Sequence, residues 1–337
     1  MGKSEAESIL SGDRRALARL LTQVENGSHE GRRTLDELFP HTGKAHLIGV
    51  TGAPGTGKST LVNQVALQYR SPAAANPKRV AIVAVDPSSP FTGGAVLGDR
   101  VRMRDLAGDP GVFIRSMASR GSLGGLAQTT AAVVQVFDAA GYDVILIETV
   151  GAGQTEVDIA RLAHTTLVVE SPGLGDEIQA IKAGILEIAD ILVINKADLP
   201  GAEKTEHALR GMLGLAHPVE KVFHHHGQAM ILPESKPADT SQWVPPILRT
   251  ISTDGTGVEE LMTAIEQHAQ HLRQSGEWGR RERARLEAEL EALLTETLVR
   301  KFRTSVPDVR YDEMVDRLVQ RTLSPWEAVK ALLNGGA

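Results

Sequence analysis

The residues with the clearest chemistry are Gly52, Ala53, Pro54, Gly55, Thr56, Gly57, Lys58, Ser59 and Thr60. They fit the pattern G-x-x-x-x-G-K-[ST]. In it, turned-in backbone N–H groups form an anion cradle and a helix N-terminus aims its positive end at phosphate. Gly52, Gly55 and Gly57 let the backbone bend and approach closely. Lys58 reaches the β/γ-phosphates, and the Ser59 hydroxyl offers an oxygen to Mg²⁺. Such a loop handles a nucleoside triphosphate without choosing its base. Asn195-Lys196-Ala197-Asp198 makes that choice. In an N-K-x-D tetrad the carboxylate, here Asp198, accepts from guanine N1–H and the exocyclic amine, a donor pair that adenine lacks. Asn195 helps hold the loop and touches the base edge, and the Lys196 stem covers the ring. A site whose buried groups need particular partners rejects the wrong ligand by roughly 10⁴–10⁵. Ser252-Thr253, just after the last apolar run, is placed to lend backbone N–H groups to the base.

Three carboxylates complete the set. The apolar run Val144-Ile145-Leu146-Ile147 ends in Glu148, as the second metal-binding motif of phosphate-loop enzymes ends in an acid. Gly151, three residues on, has an N–H that could meet a γ-phosphate. Asp86 follows the run Val80–Val85, and Asp99 lies in Gly98-Asp99-Arg100. Three carboxylates near one phosphate site need a cation to neutralise them, so Mg²⁺ is implied. The alternatives are a turn cap for Asp86 and an ion pair with Arg100 or Arg102 for Asp99.

Positioning these groups requires strands that end where the motifs begin. Apolar runs at Leu47–Thr51, Val80–Val85, Val112–Ser116, Asp143–Glu148, Thr166–Glu170, Ile191–Asn195 and Ile247–Ile251 alternate with helical stretches. Continuous rather than alternating apolarity predicts strands buried on both faces, hence a mainly parallel sheet wrapped by helices. Ligands in such sheets sit at the carboxyl ends of strands, where the motifs fall. The expected fold class is α/β, with this domain over residues 44–270. Residues 1–43 read as a helical extension, with Ala16, Leu17, Leu20, Leu21 and Val24 on one face. Residues 271–337 read as a helical C-terminal arm. Gly276 and Gly279 are expected to break the chain before a charged helix from Arg280 to Arg303 with a stripe of Leu286, Leu290, Leu293, Leu294 and Leu298. The Pro- and His-rich stretch 217–246, with His224-His225-His226, reads as an irregular insertion.

Composition narrows the partners. The chain has 337 residues, a formal charge of −6 and no cysteine. There is no basic footprint for nucleic acid. There is no apolar run of membrane-spanning length and no leader, so a cytoplasmic location is expected. Thiolate metal sites and Cys nucleophiles are excluded.

Taken together, the motifs resemble those of the MeaB/ArgK/MMAA family of GTPases, a branch of the SIMIBI class. The resemblance runs through Gly52–Thr60, Val85-Asp86-Pro87-Ser88-Ser89, Gly98-Asp99-Arg100, Glu148-Thr149-Val150-Gly151, Gly153-Gln154, Pro172–Gly184 and Asn195–Asp198. It extends to Gly12–Arg19 and to Leu323–Ala328, and so to nearly the whole chain. It implies a homodimeric, Mg²⁺-dependent GTPase that chaperones an adenosylcobalamin-dependent acyl-CoA mutase, chiefly methylmalonyl-CoA mutase, gating cofactor loading and protecting or reactivating the mutase. It places Lys58 at the phosphates, Ser59, Asp86, Asp99 and Glu148 around Mg²⁺, and Asn195 and Asp198 at the base. It makes Pro172–Gly184 a switch that responds to the mutase, with Lys182 as the γ-phosphate contact. Two features depart from the family pattern: Ser252-Thr253 stands where Ser-Ala is usual, and the stretch 217–246 is atypical. With no arginine finger in the sequence, slow intrinsic hydrolysis is expected. The rival readings are a metallochaperone GTPase for nickel or another metal, suggested by His224–His226, a phosphate-loop kinase, and a binding module without turnover.

Overall fold

The computed structural model describes residues 3–71, 76–87, 103–106, 108–119, 125–149, 160–173, 188–216, 224–225, 228–229 and 243–334. Helices α1 (Glu5–Leu10), α2 (Arg14–Glu25) and α3 (His29–Leu38) open the chain. Each starts at a side-chain cap. Ser4 and Glu7 form a capping box, Asp13 accepts from the N–H groups of Arg15 and Ala16, and Ser28 accepts from Gly31. Then follow β1 (His46–Thr51), α4 (Lys58–Arg70), β2 (Val80–Pro87), β3 (Val112–Ser119), α5 (Gly125–Ala139), β4 (Val144–Thr149), β5 (Thr165–Glu170), β6 (Ile191–Asn195) and α6 (Ala202–Ala216). A two-residue antiparallel pair, β7 (His224–His225) with β8 (Gln228–Ala229), precedes β9 (Ile247–Thr250) and α7 (Val258–Ser275).

Seven strands form one parallel sheet in the order β3-β2-β4-β1-β5-β6-β9. They are the seven apolar runs of the sequence. Every residue of β1, β4, β5 and β6 is buried, which is why these runs show no polar alternation. The pleat sorts them into two cores. Leu47, Ala81, Val83, Ile145 and Ile147 face one side, under α2 and α5. Ile48, Val50, Ile82, Leu146 and Val193 face the other, under α4 and α7. Ala16, Leu17, Leu20, Leu21 and Val24, the apolar face of α2, lie in the first core. Residues 1–43 thus supply part of one wall of the sheet. Arg14 ties them to its edge, donating to the carbonyls of Pro110 (2.7 Å) and Val112 (2.8 Å), and Arg115 on β3 forks onto Glu25. Asp138, buried near the end of α5, accepts the N–H groups of Gly43 (2.6 Å), Lys44 (3.1 Å) and Ala45 (3.0 Å), and so fixes the approach to β1.

The amino ends of β1, β5 and β6 meet in a polar latch. The Thr165 hydroxyl lies 2.8 Å from His46 Nε2 and 2.9 Å from His268 Nδ1, and His268 Nε2 is 3.2 Å from the Asp190 carboxylate. Asp190 takes a two-pronged hydrogen bond from Arg281, which also donates to the His164 carbonyl. His164 Nδ1 accepts the Leu47 N–H at 3.1 Å, and its ring stacks on Trp278 at 3.9 Å.

The chain forms two compact units, Met1–Arg285 and Leu286–Ala337. The boundary falls inside α8 (Glu277–Ser305), which α9 (Asp308–Val319) and α10 (Pro325–Asn334) follow. Only Gly276, with φ of +74°, breaks the chain; Gly279 lies within α8, contrary to the sequence expectation. An isolated glycine in a first turn costs a helix little, whereas a left-handed residue ends one. The second unit has its own small core of Val306, Met314, Ala328 and Leu332. Leu290, Leu293, Leu294 and Leu298 are 44–67% exposed. No helix among the described residues is long and apolar enough to cross a membrane.

Candidate guanine-nucleotide site

The site is built at the carboxyl ends of β1, β4, β6 and β9. From β1 the chain turns through Gly52, Gly55 and Gly57, at φ of +138°, +83° and +92°. Gly52 is also a close approach: a Cβ there would lie 2.0 Å from the carbonyl oxygen of Val169 on β5. At Gly57 it would lie 2.4 Å from Asn195 Nδ2. Gly57 caps α4, so Lys58, Ser59 and Thr60 form its first turn, where unpaired N–H groups favour an anion. Pro54 and Gly55 are exposed at the loop's crest, and Ala53 is half-buried below them. Lys58 is buried and its ammonium donates to the carbonyls of Gly52 and Ala53, both at 2.8 Å. The charge is therefore held inside the loop, at the mouth of the helix.

Beside it, the Ser59 hydroxyl donates to Glu148 Oε1 at 2.5 Å, both groups buried. The strand register explains this meeting, because Val50 on β1 pairs with Glu148 on β4. The Thr149 hydroxyl donates to that of Thr51 at 3.0 Å and pins the two strand ends together. On the other side of β4, Ala84 pairs with Glu148 and Val85 with Thr149. Asp86, next along β2, is thereby carried to the neighbouring strand end. A buried hydroxyl and carboxylate in contact are hard oxygen donors suited to Mg²⁺. The side chain of Asp86, and all of Asp99, Gly151 and Lys182, lie outside the described residues, as does most of Pro172–Gly184.

At the guanine end the Asn195 amide joins three segments. Its Nδ2 donates to the Thr56 carbonyl of the phosphate loop at 2.8 Å. Its Oδ1 accepts from the Thr250 hydroxyl (3.1 Å), the Ser252 hydroxyl (2.7 Å) and the Ser252 N–H (3.1 Å). Lys196, left-handed at φ of +56°, donates from Nζ to the Gly55 carbonyl at 2.7 Å. Asp198 and Thr253 are exposed at the turns after β6 and β9. The Ser252 N–H is thus directed at Asn195, a partner that the sequence did not show. The acceptor oxygen of a buried amide draws in the nearest donors, and Ser252 is buried beside it. Sequence reasoning also passed over Thr250, Thr51 and Thr149. Threonine is an ordinary strand residue, so only the pairing register reveals their hydroxyls.

The family model described as "Methylmalonyl Co-A mutase-associated GTPase MeaB" matches residues 17–306. A Pyrococcus abyssi protein named as a GTPase is 42% identical over 334 residues, spanning 98% of this chain and 96% of its own. GTPase ArgK of Escherichia coli is 35% identical over 338 residues, spanning 97% and 95%. Among solved structures, the crystal structure of an LAO/AO transport system kinase superposes with a TM-score of 0.67 at 27% identity, covering 98% and 95% of the two chains. With the phosphate loop, the N-K-x-D turn and so broad a match in place, this chain belongs to the MeaB family of methylmalonyl-CoA-mutase-associated GTPases and is a GTP-hydrolysing enzyme.

Proposed function

We propose that this protein is a Mg²⁺-dependent GTPase that chaperones an adenosylcobalamin-dependent acyl-CoA mutase, methylmalonyl-CoA mutase in the first instance. The observation that carries this reading is the family match over residues 17–306, which takes in most of α2, the whole sheet and all of α8 rather than the phosphate loop alone. In this reading Gly52–Thr60 and the first turn of α4 hold the phosphates, and Lys58 offsets charge as the γ-phosphoryl group leaves. Asp198 reads the base, with Lys196 and Thr253 beside it, and Asn195 holds loop and turn together. Ser59 and Glu148, with Asp86 and Asp99, hold Mg²⁺. When bound, the ion neutralises charge on the β- and γ-phosphate oxygens. The Gly151 N–H and Lys182 approach the γ-phosphate, and Pro172–Gly184 relays the nucleotide state to the mutase. Hydrolysis by the isolated protein is slow, because no arginine finger stands at the site among the described residues. Residues 271–337 serve as a dimerisation arm, with the exposed leucines of α8 as its contact stripe, and the protein acts in the cytoplasm.

The test is co-precipitation with methylmalonyl-CoA mutase in GDP and in a non-hydrolysable GTP analogue. Binding that differs between the two states is expected, together with faster phosphate release when the mutase is added. Absence of binding in both states overturns the chaperone role and leaves the GTPase assignment standing.

A further inference from the structure

Asn195 is held by more bonds than contact with a base requires, and one of its partners belongs to no nucleotide motif. Thr250 is the last residue of β9 and is fully buried. The β6–β9 register sets it directly beside Asn195. Its hydroxyl donates to Asn195 Oδ1 at 3.1 Å, while its carbonyl accepts the Ala197 N–H, also at 3.1 Å. One residue therefore holds both the asparagine and the turn that carries Lys196 and Asp198. We propose that Thr250 is a positioning residue of the guanine site: through Asn195 it fixes the Thr56 carbonyl, and with it the phosphate loop. The proposal rests on the reading of this site as the place where GTP binds.

Three features make the coupling stiff. The two ends of an amide are told apart only by their partners, and here three donors face Oδ1 while a carbonyl faces Nδ2, so the amide has a single orientation. The space on the loop side is closed, because a Cβ on Gly57 would reach within 2.4 Å of Nδ2. The backing is closed too: Gly257 packs so tightly under β9 that a Cβ would fall 2.0 Å from the Arg249 carbonyl oxygen. A hydroxyl at such a buried strand end is unfavourable unless it is bonded. That of Thr250 is spent on a side chain from another strand, one that reaches the phosphate loop. Without it, Oδ1 keeps the two Ser252 donors. The asparagine then stays solvated by protein but loses its lateral stop, so nucleotide hold should suffer before the fold does.

Thr250→Val keeps shape and removes the hydroxyl; Thr250→Ser keeps the hydroxyl and removes the methyl. Thr165→Val is the control, because Thr165 is equally buried and hydrogen-bonded but sits at the amino end of β5. The readouts are KM and kcat for GTP, the release rate of a fluorescent GDP analogue, and the melting temperature without nucleotide. Loss of one buried hydrogen bond predicts that Thr250→Val raises KM and speeds release by about fivefold, with kcat held within about twofold. Thr250→Ser should restore both, and Thr165→Val should lower the melting temperature and leave KM alone. Wild-type KM and release in Thr250→Val overturn the proposal, as does failure of Thr250→Ser to restore them, or an equal rise in KM in Thr165→Val. Lys58→Ala distinguishes the deeper failure: if it binds GTP as tightly as wild type, the nucleotide lies elsewhere, and the reading of the site falls with the proposal.

Discussion

Acidification should loosen this protein from the end of the sheet that faces away from the nucleotide. The latch at the amino ends of β1, β5 and β6 requires His46 and His164 to be neutral. His164 Nδ1 accepts the Leu47 N–H, so a proton placed there would set two N–H groups against each other. Burial pushes His46 down to about 3, with the nearby His164 and Arg273 adding to the shift. Burial likewise lowers His164, against the opposing pull of Glu282. The surroundings are already cationic on balance, with Arg273, Arg281 and Arg285 facing Asp190 and Glu282, and His268 resting on Asp190. Both folded values lie below that of an unfolded histidine, so between them the unfolded chain binds more protons. Stability is then complete above about pH 6.5 and is lost as the pH falls toward the folded values. Each unit in that window costs about 1.4 kcal/mol for a group that stays neutral, so at pH 5 His46 should remove about 2 kcal/mol, and His164 adds to the loss in the same direction. Against the roughly 5–15 kcal/mol of a typical domain, that is readily measured.

The assay is urea unfolding between about pH 7.5 and 5, followed through Trp278, whose ring stacks on His164 and so reports an imidazolium by quenching. His164→Asn supplies an acceptor oxygen where Nδ1 sits, and His46→Gln supplies an amide where Nε2 sits; neither titrates. The double variant should lose most of the slope of stability with pH while paying a constant cost for the lost stacking. A wild-type stability that stays level down to pH 5, or a double variant with the wild-type slope, refutes the reasoning.

Four further outcomes follow from the site and its supports. Gly52→Ala should abolish nucleotide binding and lower the melting temperature markedly, because its Cβ would fall 2.0 Å from the Val169 carbonyl oxygen. Gly55→Ala, with nothing within 4 Å, should cost only the roughly 1–2 kcal/mol of a left-handed residue, read by thermal melting. Asp138→Ala leaves three buried or half-buried N–H groups ahead of β1 without their carboxylate, and should destabilise the protein by about 3 kcal/mol in urea unfolding. Glu148→Gln should weaken the apparent Mg²⁺ affinity by roughly 10–100-fold in a phosphate-release titration, and chelation of the metal should stop wild-type hydrolysis.

The sheet was legible in the sequence because burial on both faces leaves an unbroken apolar run, and seven such runs became the seven strands. The phosphate loop was legible because glycine spacing is a local signal: Gly52, Gly55 and Gly57 each take the positive φ that their type allows. What lay beyond reach were partners set by strand order. Nothing local says that Asn195 will meet Thr56, Thr250 and Ser252, or that Glu148 will meet Ser59. The apolar face of α2 was visible as a period, but a period does not say which surface it will cover. That surface is the β2–β4 side of the sheet itself. Gly279 misled for the converse reason, since a glycine ends a helix only when the backbone turns left-handed, and here Gly276 does so.

The parallel sheet also explains why two polar systems coexist without exposing each other to failure. β5 and β6 each carry one at either end. Thr165 opens β5 in the latch and Val169 near its close presses on Gly52; Asp190 precedes β6 in the latch and Asn195 ends it at the phosphate loop. Past Thr166, whose N–H donates to Asp190 and so belongs to the latch, lie only buried aliphatic residues, Leu167, Val168, Ile191, Leu192, Val193 and Ile194, which cannot relay a proton or a charge. A protonation event at His164 therefore reaches the nucleotide only by moving a strand bodily, against main-chain pairing on both sides. Such a sheet breaks cooperatively or not at all. Acid should accordingly lower the unfolding free energy long before it alters GTP affinity, and a parallel fall of the two would mean that the strands slide.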